Sequence, residues 1–554
     1  MPERWWPLVT GQTSRSIVPE HINRHAFEIC VFSVMMSELK SGDMCILGGI
    51  EFSDYREQMI SEEESALLIP QYAEQVGLPS TAEAFVASLK ASLDETAREV
   101  DGNFPDNHFV SIVNGKPKVE RLKRLEHTGA RQLAESLNKE LPEISIVRPF
   151  IETEQWINWA RVFGPISGFD AKIEQPAQRY LTAVFGYGCG LGPTQTSRSV
   201  KGVDRKHLAF VNARHITEQN LDDADRIIVD RYARLPVHRH WGTGQSASAD
   251  GMKWDVHPQT LMTEYHLRYG GYGGIGYYLV SDTYIALFSR FIACGAYEGH
   301  NILDFIREAQ HSAFQPDTIH ADSHGQNTAI FALAYLLGIK LMPRIKDWKD
   351  LDFCRADSTK SYAHIDALFN ASVDWALIED HFPDMMRVAL SIKAGRLLPS
   401  TILRRLATYS RKNKLYLAFD QLGRVIRTMF LLKYMDSLEL RRTIGVATNK
   451  SERWNKFLQW VNFGGRGLIV EAARDEQRKL IKYNRTAGNL LVLHTAVRMT
   501  EALERLRDRG KGYLITDEAM SGISPYLTEH INRFGDYEFD MELRTTKPPP
   551  EIIK

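Results

Sequence analysis

A chain of 554 residues with 44% hydrophobic, 25% charged and 10% aromatic residues has an ordinary globular composition and is too long for a single hydrophobic core. That composition excludes disorder and a fibrous architecture, and a formal net charge of −1 gives no global attraction for a polyanion. The five cysteines (Cys30, Cys45, Cys189, Cys294, Cys354) are odd in number, form no C-x-x-C pair and argue against a disulfide framework or a cysteine zinc site, which points to a reducing cytoplasm.

Taken in order, the chain opens on MPERWWPLVTGQ, which lacks the basic, apolar and small-residue order of a signal peptide. No later run approaches eighteen uninterrupted apolar residues, so neither export nor membrane insertion is expected. Residues 1–145 read as a helical scaffold of the dimerisation type. One helix there is well signed, with Ser80 as N-cap, Glu83 three residues on, and Phe85, Leu89 and Leu93 on one face. Residues 146–235 read as a helical linker. From 236 to 345 the texture changes to short β-type runs separated by glycine (RYGGYGGIGYYLVSD, YIALFSRFIACG, DTIHADSHG, KLMPRI), which predicts a mixed sheet. The nearly all-apolar stretch Thr328 to Leu337, stopped by Gly338, is expected as a helix packed on that sheet.

Residues 346–440 read as an all-helical insertion, with Leu415, Phe419, Leu422, Ile426 and Phe430 at helical spacing opposite basic side chains. A further long helical pattern begins near Glu452 and runs to about Arg509, with interruptions expected at Gly464, Gly465 and Gly488. Residues 441–500 rejoin the sheet as one catalytic core, and 501–554 form a C-terminal scaffold segment. The resulting fold class is α/β. No internal repeat or low-complexity segment is present.

Three carboxylates are candidates for the chemistry: Asp250 in SASADGMKW, Asp322 in TIHADSHGQ and Glu452 in ATNKSERW, 72 and then 130 residues apart. The first two are expected at strand edges beside glycine. Mg²⁺ takes oxygen ligands in near-octahedral geometry, and two such ions can activate a nucleophile and stabilise the leaving oxygen of a phosphodiester. A lone Asp-Gly is by itself a turn signal. Asp282 in LVSD, on a neighbouring strand, could be mistaken for a further ligand. The histidines His238, His240, His257, His320 and His324 have no HExxH partner, so phosphate contact or packing is preferred to zinc. The string GYGGIG from Gly271 to Gly276 precedes a strand instead of opening a helix, so a dinucleotide site is rejected. Trp454 and Trp460 are read as core.

Between Arg387 and Lys433 lie eleven basic residues and one acid, Asp420. That imbalance predicts DNA backbone contact through Arg396, Arg404, Arg405, Arg411, Lys412, Lys414, Arg424 and Arg427, joined by Arg344 and by His324 near the second acid.

The strings WGTGQSASADGMKW, YYLVSDTYIALF, ADSHGQ followed by FALAYLLGIKLMPRIKD, DMMRVALSIKAGRLLPSTILRRL, TNKSE and ISPYLTEHINRFGDYEF occur in one order from Trp241 to Phe539. In that order they resemble the catalytic half of the Tn-three family, the replicative class II transposases. SGDMCILGG followed by EFSDYREQ extends the resemblance more weakly toward the N-terminus. The resemblance implies an RNase H-like core with a helical insertion between the second and third acids, with Asp250, Asp322 and Glu452 as the catalytic acids and Asp282 as a structural hydrogen-bonding group. Two departures are noted: Ala321 and Ser323 flank Asp322 where the family more often has threonine, and Ser451 precedes Glu452 where glycine is common.

It further implies single-strand cuts at transposon ends, joining of 3′ hydroxyls to target DNA to form a cointegrate, and two Mg²⁺ or Mn²⁺ ions per site. The implied partners are transposon-end and target DNA, a second copy in a homodimer, a resolvase and the replication machinery, in the nucleoid of a bacterial cytoplasm. Family members carry extensive N-terminal DNA-binding domains, so end recognition is expected to be missing from a chain that begins inside the pattern. Two alternatives stay open: a DNA-binding remnant that inhibits a longer transposase, and an RNase H-like nuclease that cuts without strand transfer.

Overall fold

A computed structural model describes residues 1–16, 19–48, 52–122, 126–168, 173–258, 264–266, 270–294, 297–306, 312–406 and 414–543. The chain divides into two compact units, one built from Met1–Lys118, Gln326–Gly338 and Asp347–Asp436, the other from Val119–Gly325, Ile339–Lys346 and Ser437–Lys554.

The second unit holds the mixed sheet. Its main path runs Ala286–Ala293, Gly271–Ser281, Ser246–Val256, Thr318–Ala321, Lys340–Pro343. The first two joins are antiparallel and the last two parallel. The central strand Ser246–Val256 is eleven residues long, whereas its parallel neighbour Thr318–Ala321 covers only Ser246 to Ala249. A second short strand, Leu468–Ile469, pairs farther along at Asp255 and Val256. Between them, among the described residues, no strand pairs with that edge from Asp250 to Trp254, and a notch opens in the sheet at Asp250. Asp250 therefore lies inside a strand and Gly251 is strand too, so the Asp-Gly pair is neither a turn nor a strand edge.

The glycines of GYGGIG lie within the strand Gly271–Ser281 and serve packing. A Cβ at Gly274 would stand 2.0 Å from the Phe291 ring, and one at Gly276 would stand 2.5 Å from Trp254 Nε1.

Two helices of this unit matter for the site. Leu438–Val461 carries Glu452 in its interior, not at its start. Arg474–Asp508 is one uninterrupted helix of 35 residues, buried almost throughout from Ile481 to Met499. Gly488 does not break it. A Cβ there would meet Leu458 at 2.7 Å and Trp454 at 2.9 Å, so this glycine lets the two helices cross closely, a packing reason that helical periodicity does not reveal. Asn489 donates to Ala286 O and accepts from Ala286 N, fastening the long helix to the outer strand.

In the first unit the helix Ala82–Asn103 buries Phe85, Leu89 and Leu93 on one face, as its spacing predicts. Its N-cap is Thr81, whose hydroxyl accepts from Ala84 N, one residue later than Ser80. The apolar helix Thr328–Leu336 belongs to this unit and packs on Leu415–Asp436, whereas the sheet expected as its partner belongs to the second unit. Gly423 lies against the Thr328 backbone, where a Cβ would come within 2.0 Å of Thr328 O, and Thr328 Oγ1 donates to Asp420 at 2.7 Å. A helix apolar on every face says that it is buried without saying against what. The segment 346–440 is also not all helical: Phe353–Cys354 and Phe369–Ala371 form a two-stranded parallel sheet, too short to show a period in the sequence. Along Leu415–Asp436 the buried face runs through Leu415, Phe419, Leu422 and Val425, with Ile426 and Phe430 only partly covered.

Candidate active site

Ala249 and Ala321 are the last paired residues of the parallel ladder, so Asp250 and Asp322 follow side by side where the shorter strand ends. The helix Leu438–Val461 lies over the face of the central strand that carries Ser248 and Asp250. Ser451 Oγ sits 3.0 Å from Ser248 Oγ, and four residues on, Asn455 Nδ2 donates to Asp250 Oδ2 at 3.0 Å. Four helical residues rise about 6 Å and two strand residues about 6.6 Å, so the two ladders of side chains keep step. Glu452 thereby projects beside this contact. The alternation of the strand and the turn of the helix bring the three acids that the sequence singles out to one place.

Their electrostatics differ. Burial first, then the neighbouring charges of Asp322, Glu298 and Glu452, push the Asp250 carboxyl up to about 7, against a bond from Gly251 N at 3.0 Å. For Asp322 burial is outweighed by His324, whose backbone N–H donates to Oδ1 at 2.9 Å and whose Nδ1 lies 3.0 Å from Oδ2, so this carboxyl stays below its ordinary value. Glu452 is half exposed and accepts from Arg344 at 2.8 Å. The same guanidinium donates to Asn449 Oδ1 at 2.8 Å and Gly445 O at 3.3 Å, and Arg344 N donates to Ala321 O. Arg344, expected on DNA, is thus placed on the third acid, and His324, expected near a phosphate, on the second.

Asp282 has the role read for it: it accepts from Thr243 N, Gly244 N, Ser246 Oγ and Ser281 Oγ and so holds the loop that enters the central strand. Lys450, two residues before Glu452, is buried and donates to Trp241 O and Asp282 O, fastening the same loop to the helix. Burial pushes its ammonium down to about 8.

Three residues of this neighbourhood are not among those the sequence singles out with the acids. Asn455 is one helical turn beyond Glu452, and an i, i+3 search would find it. Glu298, whose carboxylate occupies the space a Cβ on Gly251 would take, opens the short 3-10 helix Glu298–Asn301, and nothing local marks it. Lys450 looks like an ordinary surface lysine.

The histidines are dispersed: the His238 ring bonds Ala233 O, His240 pairs with Asp517, and His320 is buried in the strand Thr318–Ala321, its imidazole pushed down to about 4 by burial. Among the described residues no three His, Cys, Asp or Glu side chains stand close enough together to hold a metal ion. Trp454 is fully buried and Trp460 packs against the same core, stacked on Phe457.

The basic stretch has partners within its own unit. Arg387 pairs with Glu62, Arg396 with Glu64 and Arg424 with Asp420. Arg405 is buried, donates to Ser53 O at 2.8 Å and lies over the Tyr55 ring, and Arg404 lies over Phe52. Arg427 donates to Gln326 O. Lys414 is exposed, while Arg411 and Lys412 lie outside the described residues.

Residues 150–537 match the family model described as the Tn3 transposase DDE domain. Over 542 residues the chain is 28% identical to the transposase for transposon Tn501 of Pseudomonas aeruginosa, covering 96% of this chain and 53% of the relative. It is 26% identical over 522 residues to the transposase for transposon Tn1546 of Enterococcus faecium, covering 94% and 52%. To the transposase for transposon gamma-delta of Escherichia coli it is 26% identical over 557 residues, covering 99% and 55%. The chain thus spans about half the length of these relatives.

Proposed function

The chain belongs to the Tn3 transposase DDE-domain family, and from that membership we propose that it carries the catalytic centre of a DNA transposase, with Asp250, Asp322 and Glu452 as its acids. The observation that carries this reading is the register of the parallel ladder, which sets Asp250 beside Asp322 at the notch while Asn455 ties Asp250 to the helix bearing Glu452. A meander of three antiparallel strands extended by two parallel ones supports an RNase H-like core.

In chemistry this donor set suits a divalent cation, being all oxygen and, with burial, bringing enough negative charge near Asp250 to push its carboxyl up to about 7, and the three side chains would have to draw closer to ligate one. Asp250, Asp322 and Glu452 would hold Mg²⁺ or Mn²⁺, in the two-ion form the family implies. Such ions supply charge stabilisation at the attacking and leaving oxygens of a phosphodiester. Asn455 orients Asp250, His324 orients Asp322, and Arg344 holds Glu452 and the Leu438–Val461 helix against the end of the Lys340–Pro343 strand. The reaction assigned to the site is single-strand cleavage at a transposon end followed by attack of the freed 3′ hydroxyl on target DNA. Those partners are the whole transposase's, and the half represented here is read as its chemical centre.

The test is a labelled transposon-end duplex incubated with target plasmid, Mg²⁺ and either the wild-type chain or the Asp322→Asn variant, with nicked and joined products resolved separately. Nicking and joining by the wild type alone are expected. Nicking without joining would leave a nuclease, and equal activity of the variant would overturn the assignment.

A further inference from the structure

A cleft of ≈ 660 Å³ lies in the sheet-bearing unit, away from the three acids, lined by Asp230, Arg234, His238, Arg239, Thr243 and Phe314 among others. Its volume is in the range of small-ligand sites. Arg234 and Arg239 are exposed, and neither guanidinium makes a hydrogen bond or ion pair with any described residue. They differ in this from the arginines of the basic helices, most of which have partners. Asp230, the acid in this lining, has its carboxylate engaged, accepting from Ala313 N at 2.9 Å.

The floor of the cleft is more telling. His238 is only 5% exposed. Its Nε2 lies 2.9 Å from Ala233 O, and because a carbonyl only accepts, that nitrogen carries the ring proton. Its Nδ1 is then a bare acceptor, and it has no partner among the described residues. A buried acceptor left unmatched costs free energy unless a ligand or water supplies a donor. Phe314, edge-on to the His238 ring, adds an apolar wall.

Two free guanidiniums call for an anion, a buried neutral Nδ1 for an N–H or O–H donor, and the Phe314 wall for a flat apolar surface. A nucleotide has all three. In a stacked duplex only its phosphate is within reach of such a recess, whereas an unstacked nucleotide presents base donors and ring as well.

Position agrees with this chemistry. Thr243 belongs to the loop that Asp282 and Lys450 hold, and the central strand begins three residues later at Ser246. From Ser246 to Asp250 is four strand residues, about 13 Å, or a few nucleotides of DNA strand.

We propose that this cleft is a binding site for an unstacked nucleotide of the DNA strand flanking the reacting phosphate, its phosphate held by Arg234 and Arg239 and a base N–H donor by His238 Nδ1. The inference rests on the reading of the chain as a DNA-acting enzyme. It is tested by anisotropy with two labelled DNAs, a blunt duplex and the same duplex carrying an unpaired overhang with 2-aminopurine in it. Both are titrated at several salt concentrations against the wild-type chain and the Arg234→Ala/Arg239→Ala double variant.

The wild type should bind the overhang duplex more tightly and brighten the 2-aminopurine as it unstacks. The double variant should lose about tenfold on the overhang duplex, with a log–log salt slope shallower by about 0.7 for one single-strand phosphate, little on the blunt duplex, and the brightening altogether. Equal losses on both DNAs would show general electrostatics only, and no loss on either would show that the cleft does not meet DNA; both overturn the site and leave the DNA reading standing. A wild-type chain that binds neither DNA overturns that reading and the site together.

Discussion

The acidic notch at Asp250 and the basic stretch from Arg387 to Lys433 carry charge in opposite ways. In the sequence the basic stretch is the conspicuous feature, eleven cations against one anion. In the structure many of these cations are matched within their unit, and the matches come from far along the chain: Glu62 and Glu64 answer Arg387 and Arg396 across more than three hundred residues. At the notch the three acids are scattered in sequence and converge in space, where Asp322 and Glu452 add to burial in raising the proton affinity of Asp250, and they find few cations, chiefly Arg344 at Glu452 and His324 at Asp322. A local count of charge says little about the field a fold presents, because ion partners are not local. What marks a working site is charge the fold concentrates and leaves unneutralised.

That contrast is sharpest in its strongest test. Asp250→Ala should cut strand cleavage by at least about a thousandfold, some 4 kcal/mol of barrier, while Asp282→Ala, which loosens the loop at Thr243 and Gly244, lowers the melting temperature and leaves Mn²⁺ affinity near that of the wild type. Equal effects of the two on Mn²⁺ affinity would erase the distinction between a ligand and a scaffold carboxylate.

Asn455→Ala comes next. Removing the amide that orients Asp250 should weaken Mn²⁺ binding by about ten- to a hundredfold without unfolding the chain, as read by calorimetry and circular dichroism. Unchanged affinity would mean that Asp250 needs no orientation from the helix.

Acid titration compares Asp250 with a buried carboxylate that is paired. Glu152 is fully buried, yet the hydrogen bond and charge of His494, with Arg498 and Arg148, outweigh burial and hold its carboxyl down to about 2. A depressed carboxyl stabilises the fold above its unfolded value near 4.5, and that contribution is lost as pH falls from there toward 2. Thermal unfolding followed over that window should show a fall in stability that is smaller in Glu152→Gln. A fall of the same size in both proteins would assign the acid sensitivity elsewhere.

The mildest effect belongs to the basic stretch. Arg405→Met should cost about 1–3 kcal/mol of stability, since Ser53 O loses its donor, with no change in the salt slope of duplex binding. A flatter slope with unchanged stability would put Arg405 on DNA after all.

Much of this site was legible in the sequence, and for identifiable reasons. The strands announced themselves through β-branched and aromatic runs cut by glycine, and Asp250, Asp322 and Glu452 stood in strings that resemble one family. What stayed hidden were relations between elements. The helix Thr328–Leu336 was legible as buried, but its partner, Leu415–Asp436, was not. Gly488 looked like a break because a glycine demanded by Trp454 and Leu458 is indistinguishable in sequence from one that ends a helix. Ser80 and Thr81 are both good caps, and only the bond to Ala84 N chooses between them. Arg344 read as one more cation because its partner, Glu452, lies 108 residues away.

The most direct measurement is a calorimetric titration of Mn²⁺ into the wild-type chain and into Asp250→Asn, Asp322→Asn and Glu452→Gln, each checked for an unchanged fold. If the notch is the catalytic centre, the wild type binds Mn²⁺ and each single variant binds it at least about tenfold more weakly or with fewer ions, because each removes one charged oxygen ligand. Binding of equal strength and stoichiometry in all four proteins would contradict the account.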